Sequence, residues 1–390
     1  MSDIAPQMWE KLPPGDTAAV RTAPSLTYWQ DARRRLGRNK PAVLSIVFIL
    51  LLILAAVFGP LFSPFSYADQ NLKIANIPPA FETYSVSGGE GQGTRFFLNA
   101  SNFNLYEVDS DGHVLGLLRG ERKDMLRKSQ AFMFGDTTIT LDYSKLPARL
   151  LTADGQTLFP SGWSWNRTYL FGTDQLGRDV LVRQLYGARI SLTVAFVATL
   201  VNFFIGIFYG GIAGYIGGKT DAVMMRIVEI ISTIPLTLYV VLLMVVFDSG
   251  LYSIIIAIGS VFWVDMARIV RGQILSLKSQ DYVAAARTMG AGTGRILTKH
   301  LLPNSIGPII VTLTMLIPSA IFIESFMSFI GLGVTPPLAS WGTLTSEAVE
   351  TMRAYPHQLF FPAAAISLTM FAFNFLGDGL RDALDPRFRK

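Results

Sequence analysis

Residues 41–62 run for 22 positions without a charged side chain. At 1.5 Å of rise per helical residue that run spans a hydrocarbon core of about 30 Å. Backbone groups inside hydrocarbon must bond within their own segment or around a closed barrel, and barrel strands need only about 9–11 residues, so a run of this length predicts a membrane helix. Composition agrees: charged residues make up 16% of the 390, against about 25% in soluble domains. Arg33, Arg34, Arg35, Arg38 and Lys40 precede the run against Asp31, which predicts a cytoplasmic N-terminal side. The run exceeds the 7–15 or so apolar residues of a leader and shows no clear cleavage site, so it reads as a permanent first helix over 41–62 behind a cytoplasmic segment 1–40. The chain has no cysteine, and its three histidines, His113, His300 and His357, are far apart. Disulfides and thiol catalysis are excluded, and no metal site is expected. The net charge of +5 fits a cytoplasmic-side membrane bias better than nucleic acid.

Residues 67–170 lose the long apolar runs and gain turn chemistry. Asp111-Gly112 and Asp154-Gly155 each lie between short alternating segments, a hairpin signal. A small β-rich insertion outside the membrane is therefore expected, with a flexible glycine loop at 88–93. Further spans are expected at about 190–216, 223–247, 250–267, 304–330 and 358–377, from the gaps between charges. Residues 268–300 hold six cations against Asp281, which places that loop inside together with the tail 379–390. The expected fold is an all-α polytopic membrane protein of six helices, five of them in a core over 186–378, with both termini cytoplasmic.

The loop 268–303 is the most informative stretch. In 279–290, Ser279 is positioned to cap a short helix, Asp281 suits its N-terminal end, and Gly290 can take the left-handed stop. Tyr282, Ala286 and Met289 are spaced for one face. A second short helix is expected from about Thr293 to Leu302, ended by Pro303. The plain alternative is a basic loop held by anionic lipid.

The pattern Ala285-Ala286, Gly290, Leu302-Pro303 resembles the EAA loop of ABC importer permeases, with Ala284 at the family's glutamate position and His300 at its later isoleucine. Phe171-Gly-Thr-Asp-Gln-Leu-Gly-Arg-Asp179, Leu185-Tyr-Gly-Ala-Arg-Ile-Ser-Leu192, Ser328-Phe-Ile-Gly-Leu-Gly-Val-Thr-Pro-Pro337 with Ser340-Trp-Gly342, and Asp385-Pro-Arg387 look like the dipeptide/oligopeptide/nickel branch, second (C-type) permease. The resemblance implies a permease subunit in a bacterial plasma (inner) membrane. It would pair with a second homologous permease, two ATP-binding subunits and an extracytoplasmic peptide-binding protein. Tyr282, Ala284, Ala285, Ala286, Gly290, Leu302 and Pro303 would couple to the ATPases, which would carry the ATP and Mg. No cofactor is expected on this chain. Peptides are the favoured cargo and nickel or another small solute the alternative.

Residues 213–220, ending Gly218-Lys219-Thr220, nearly match a phosphate-binding loop, but they end an apolar span where a strand should precede. Glu324 lies alone between uncharged runs 301–323 and 325–346. It reads equally as a polar lining of a path or as an interhelical hydrogen bond. Gly331, Gly333 and Trp341 follow as candidates for the outer part of that path. Glycines 206, 210, 211 and 214 put small residues on nearby faces of the second span, with 206/210 and 210/214 four apart, and predict close helix packing. A secondary transporter would need paired intramembrane charges and an internal repeat, and a membrane scaffold would need no docking loop.

Overall fold

The computed structural model describes residues 27–86, 94–121, 123–134, 137–247 and 250–384. The glycine loop 88–93 and the motif 385–387 lie outside the described residues.

Helix α1 (Tyr28–Arg38) opens with a capping box at Thr27 and Gln30. The chain turns at Asn39, whose side chain caps α2 (Lys40–Phe58). The insertion then folds as two antiparallel sheets. The first, ordered β4-β3-β2-β1-β8, uses β1 (Ala80–Val86), β2 (Thr94–Asn99), β3 (Asn104–Val108), β4 (Val114–Leu117) and β8 (Gly162–Trp165). The second, β5-β6-β7, uses β5 (Ser129–Phe134), β6 (Thr137–Asp142) and β7 (Arg149–Leu151). Alternation puts Phe96 and Leu105 of one sheet against Phe134, Ile139 and Leu141 of the other. The Asp111-Gly112 hairpin forms as expected, with Gly112 at φ +93°. Its Asp109 carboxylate accepts the His113 N–H at 2.8 Å, and that bond holds its pKa below the usual carboxylate range. At Asp154-Gly155 the chain also reverses, and the Leu158 N–H returns to the Leu150 carbonyl.

The insertion leaves and re-enters at one stem. The N–H of Asn71 meets the Leu176 carbonyl at 2.9 Å and that of Asn76 meets the Asp174 carbonyl at 2.9 Å. Bringing its ends together makes so long an insertion cheap to close.

Among the described residues, five helical segments are long and apolar enough to cross a membrane: Lys40–Leu61, Val180–Ile216, Leu251–Leu277, Thr293–Leu332 and Pro356–Leu384. A sixth exists if the pair α4 (Gly218–Thr233) and α5 (Leu236–Phe247), bent by 84°, counts as one. The span expected over about 223–247 falls within this bent pair. Pro235 drives Ile234 into extended geometry (φ −78°, ψ 123°) and breaks the helix. Other boundaries move outward because side-chain partners satisfy the charges that the reading took as ends. Helix α3 (Val180–Ile216) begins ten residues before 190, since Arg183 is ion-paired and Arg189 donates to the Ala56 and Val57 carbonyls. After α6 (Leu251–Gly259), α7 (Trp263–Leu277) carries Arg271 inside the helix because Asp221 binds it through two bonds, at 2.5 and 2.6 Å. The glycines of α3 pack on α7: a Cβ on Gly210 would strike the Ala267 backbone carbonyl, and one on Gly214 would come within 2.9 Å of the Arg271 carbonyl. Gly217 alone separates α3 from α4 and residues 218–220 open α4, so a helix rather than a strand precedes them.

The remaining elements are α8 (Asp281–Thr288), α9 (Thr293–Ile296), α10 (Leu302–Met327), α11 (Trp341–Val349) and α12 (Pro356–Leu384). Buried Val194, Ala198, Met266, Val270, Ile309, Ile321 and Phe373 knit α3, α7, α10 and α12 into one core.

Candidate functional site

Two regions hold the residues singled out in the sequence, one at each end of the bundle.

At the first, α8 stands off the end of α7. Its N-cap is Gln280 with no side-chain cap, while the Ser279 hydroxyl donates to the Ser276 carbonyl at 3.1 Å. The expected Ser279 cap is thus corrected: the helix starts one residue too late for it. Gly290 sits at φ +82° with nothing within 4 Å of a Cβ built on it. Its N–H meets the Arg287 carbonyl at 2.9 Å and the Ala291 N–H meets the Ala286 carbonyl at 3.0 Å, which is a Schellman stop. Val283 and Ala286 are buried, and Val283 joins Ile296 and Leu301 in the core. The exposed stripe therefore runs through Tyr282, Ala285 and Met289, and Ala286, expected on it, faces inward; Ala284 is exposed beside it. Two contacts tie the segment and its approach to α3: Lys278 donates to the Gly214 carbonyl at 2.8 Å, and the Arg287 guanidinium lies 5.6 Å over the Tyr215 ring; just before it, Arg271 of α7 pairs with Asp221 of α4.

Pro303 does not end a helix. From α9 the chain passes through a π-turn (Leu297–Leu301) directly into α10, whose first turn holds half-buried Leu302 and exposed Pro303. A proline in a first turn forfeits only an N–H that has no helical partner, and the wide turn before it absorbs the offset.

At the opposite end Glu324 is fully buried. Its carboxyl accepts hydroxyls from Ser191 of α3 and Ser328, each at 2.9 Å. Trp341, also fully buried, donates its backbone N–H to the Ser191 oxygen and its indole N–H to the Gln184 carbonyl, both at 3.2 Å. Ser340 caps α11 and donates to Ser328 at 3.2 Å. Gly331, at φ +86°, breaks the helical path beyond α10, and Gly333 folds against Ser328. The structure thus brings Glu324, Gly333 and Trp341 into one polar node joining α3, α10 and α11, with Gly331 exposed at its edge.

Beside this node lies a cluster that sequence reasoning passed over. Arg183 bridges Asp174 and Glu347, at 2.6 Å to each, and Arg178 contacts the same two carboxylates at 2.7 and 2.9 Å. The four charges clamp the insertion stem and α3 to α11, at the edge of a 330 Å³ cleft that Gln70, Pro336 and Gln358 also line. Unlike charges at i, i+4 (Asp174 with Arg178, Asp179 with Arg183) were the legible signal. Asp179 caps α3 by accepting the Val182 N–H at 2.7 Å. Burial outweighs that bond and pushes its carboxyl up to about 6.

Together, the described residues form a helical bundle with five segments long and apolar enough to cross a membrane and a short helix, α8, at one end. The family model for the inner membrane component of binding-protein-dependent transport systems matches residues 206–390, and that for the N-terminal membrane domain of oligopeptide transport permease C matches residues 27–79. The OppC oligopeptide permease of Bacillus subtilis is 39% identical over 94% of this chain and 92% of its own. The DppC dipeptide permease of the same organism is 40% identical over 94% and 88%. A solved inward-facing structure of the MetNI methionine ABC transporter matches at 20% identity, covering 51% of this chain and 94% of its own, with a TM-score of 0.43. The chain belongs to the oligopeptide and dipeptide permease (OppC/DppC) family of ABC importers.

Proposed function

We propose that this chain is the C-type permease of an ATP-driven, binding-protein-dependent importer of di- or oligopeptides. Membership of the OppC/DppC family supports peptide over nickel cargo. In this reading α4 and α5 complete a six-span bundle, the basic ends of α1, α8 and α12 face the cytoplasm, and the insertion stands outside as part of the surface that receives the binding protein. A second permease completes the path, and two partner subunits bind ATP and Mg and hydrolyse ATP.

The observation that carries the proposal is the mounting of α8. A short helix with an exposed Tyr282–Ala285–Met289 stripe, stopped at Gly290 and pinned to α3 by Lys278 and Arg287, can transmit a push rather than absorb it. The alanines bring its backbone close to whatever seats there. Through the π-turn the push reaches α10, at whose far end the Glu324 node and Gly331 would shift to open the outer side. The test is uptake into proteoliposomes holding this chain, its partner permease, the ATPases and the binding protein. Labelled peptide should accumulate only with ATP and binding protein; ATP-independent uptake would sink the reading.

A further inference from the structure

A groove at the α8 end of the bundle includes two of the expected coupling residues, Leu302 and Pro303, but extends past them to Trp29, Ile207, Ile306 and Ile309, for which coupling gives no role. Helix α1 lies across the ends of two later helices. Its Tyr28 hydroxyl donates to the Leu384 carbonyl of α12 at 2.9 Å and sits 3.0 Å from where a Cβ on Gly307 of α10 would be. Next to this contact, Trp29 stands over a cleft of 350 Å³ whose walls are Ile207 of α3 and Leu302, Pro303, Ile306 and Ile309 of α10. The walls are apolar, and the cleft lies beside the first turn of α1.

Exposed cations lie near cleft-lining residues along the chain on both sides. Arg33 follows Trp29 by four residues and so lies beside it on the helix surface. Thr298 also lines the cleft, Arg295 precedes it by three residues and so lies beside it on the helix surface, and Lys299 follows it in sequence; Arg33, Arg295 and Lys299 are all exposed. The acidic residue of α1, Asp31, is taken by Arg35 at 2.8 Å. Among the described residues no carboxylate is ion-paired with Arg33, Arg295 or Lys299.

We propose that this groove binds an anionic phospholipid, its acyl chain along Ile207, Ile306 and Ile309 and its phosphate between Arg33 and Lys299. An apolar slot beside the first turn of α1, lined by a tryptophan and with exposed cations near it on both sides, suits a molecule that is apolar at one end and anionic at the other. A soluble phosphate would leave the slot empty, and a neutral lipid would leave the cations unanswered. Because Leu302 and Pro303 form one wall, a lipid seated there braces the foot of α10. The site does not depend on what the assembly carries.

The test is native mass spectrometry of the assembled complex in mild detergent, titrated with phosphatidylglycerol, phosphatidylcholine of the same chains, or glycerol phosphate. The wild-type complex should retain phosphatidylglycerol well above phosphatidylcholine and no glycerol phosphate. Arg33→Gln and Lys299→Gln should each lower phosphatidylglycerol retention about fivefold, the pair more, with phosphatidylcholine unmoved. Arg33→Lys should keep most of it, and Arg119→Gln in the insertion should change nothing. Equal retention of the two lipids, a double variant that matches wild type, or loss of the second permease in place of lipid would each overturn the proposal.

Discussion

Gly290 is where the coupling proposal can be pressed hardest, because its surroundings isolate a single physical effect. The position is at φ +82° and nothing lies within 4 Å of an added Cβ. Any side chain therefore fits, and only its backbone preference matters. A left-handed conformation costs an L-residue about 1–2 kcal/mol, less for asparagine and more for a β-branched residue. Gly290→Ala should thus shift the balance between stopped and frayed α8 by roughly 5–30-fold, releasing the bonds from Gly290 to Arg287 and from Ala291 to Ala286. Transport per ATP hydrolysed, measured in proteoliposomes, should fall in the order glycine, asparagine, alanine, valine. Membrane insertion and subunit recovery should stay level, since the Val283 and Ala286 contacts that seat the helix remain. Wild-type coupling in Gly290→Val, or asparagine as damaging as valine, would refute the reasoning.

Three further outcomes follow from the packing. Gly210→Val should lower thermal stability by at least about 1–3 kcal/mol because its Cβ meets the rigid Ala267 carbonyl; its neighbour Gly211→Ala, whose Cβ is 3.8 Å from Leu297, should be tolerated, and equal melting of the two would count against the close α3–α7 contact. Arg183→Met should cost about 3 kcal/mol, the low end for a broken buried pair because Arg178 still answers Asp174 and Glu347, and should expose 171–179 to protease; an unchanged digest would contradict the clamp. Asp179, held near 6 in the fold against about 3.9 when unfolded, binds its proton more tightly when folded, so its stabilising contribution is full below the unfolded value and lost as pH rises through 6. Melting in detergent should then favour pH 5 over pH 7 by about 1 kcal/mol from this group, and Asp179→Asn should flatten that difference; an identical slope in the variant would assign it elsewhere.

What was legible in the sequence depended on whether a feature was local. Apolar length fixed the helical class and five of the spans, Asp111-Gly112 fixed its hairpin, and the spacing of Gly206, Gly210 and Gly214 announced the α3–α7 contact. Boundaries drawn at charges failed where the partner lay far along the chain. Arg183 is answered by Glu347 and Arg271 by Asp221, so neither ends a helix. Pro303 misled because the rule that a proline stops a helix ignores first-turn positions, and Pro308 and Pro318 also sit inside α10. At the site, Gly290 was readable as a left-handed stop from residue type alone. Which alanine of α8 faces outward was not, since that depends on the core that Val283 joins with Ile296 and Leu301. The union of Glu324 with Ser191 and Trp341 joins residues up to 150 positions apart and no spacing rule could find it.

The central claim, that this chain works as one permease of an ATP-driven assembly, is met most directly by affinity purification in mild detergent with mass spectrometry of everything retained. A second multi-span permease and two P-loop ATPase subunits should be retained in fixed ratio, with the ATPases lost on replacing Tyr282 and Met289 by aspartate. Recovery of this chain alone, under conditions that preserve a control complex, would contradict it.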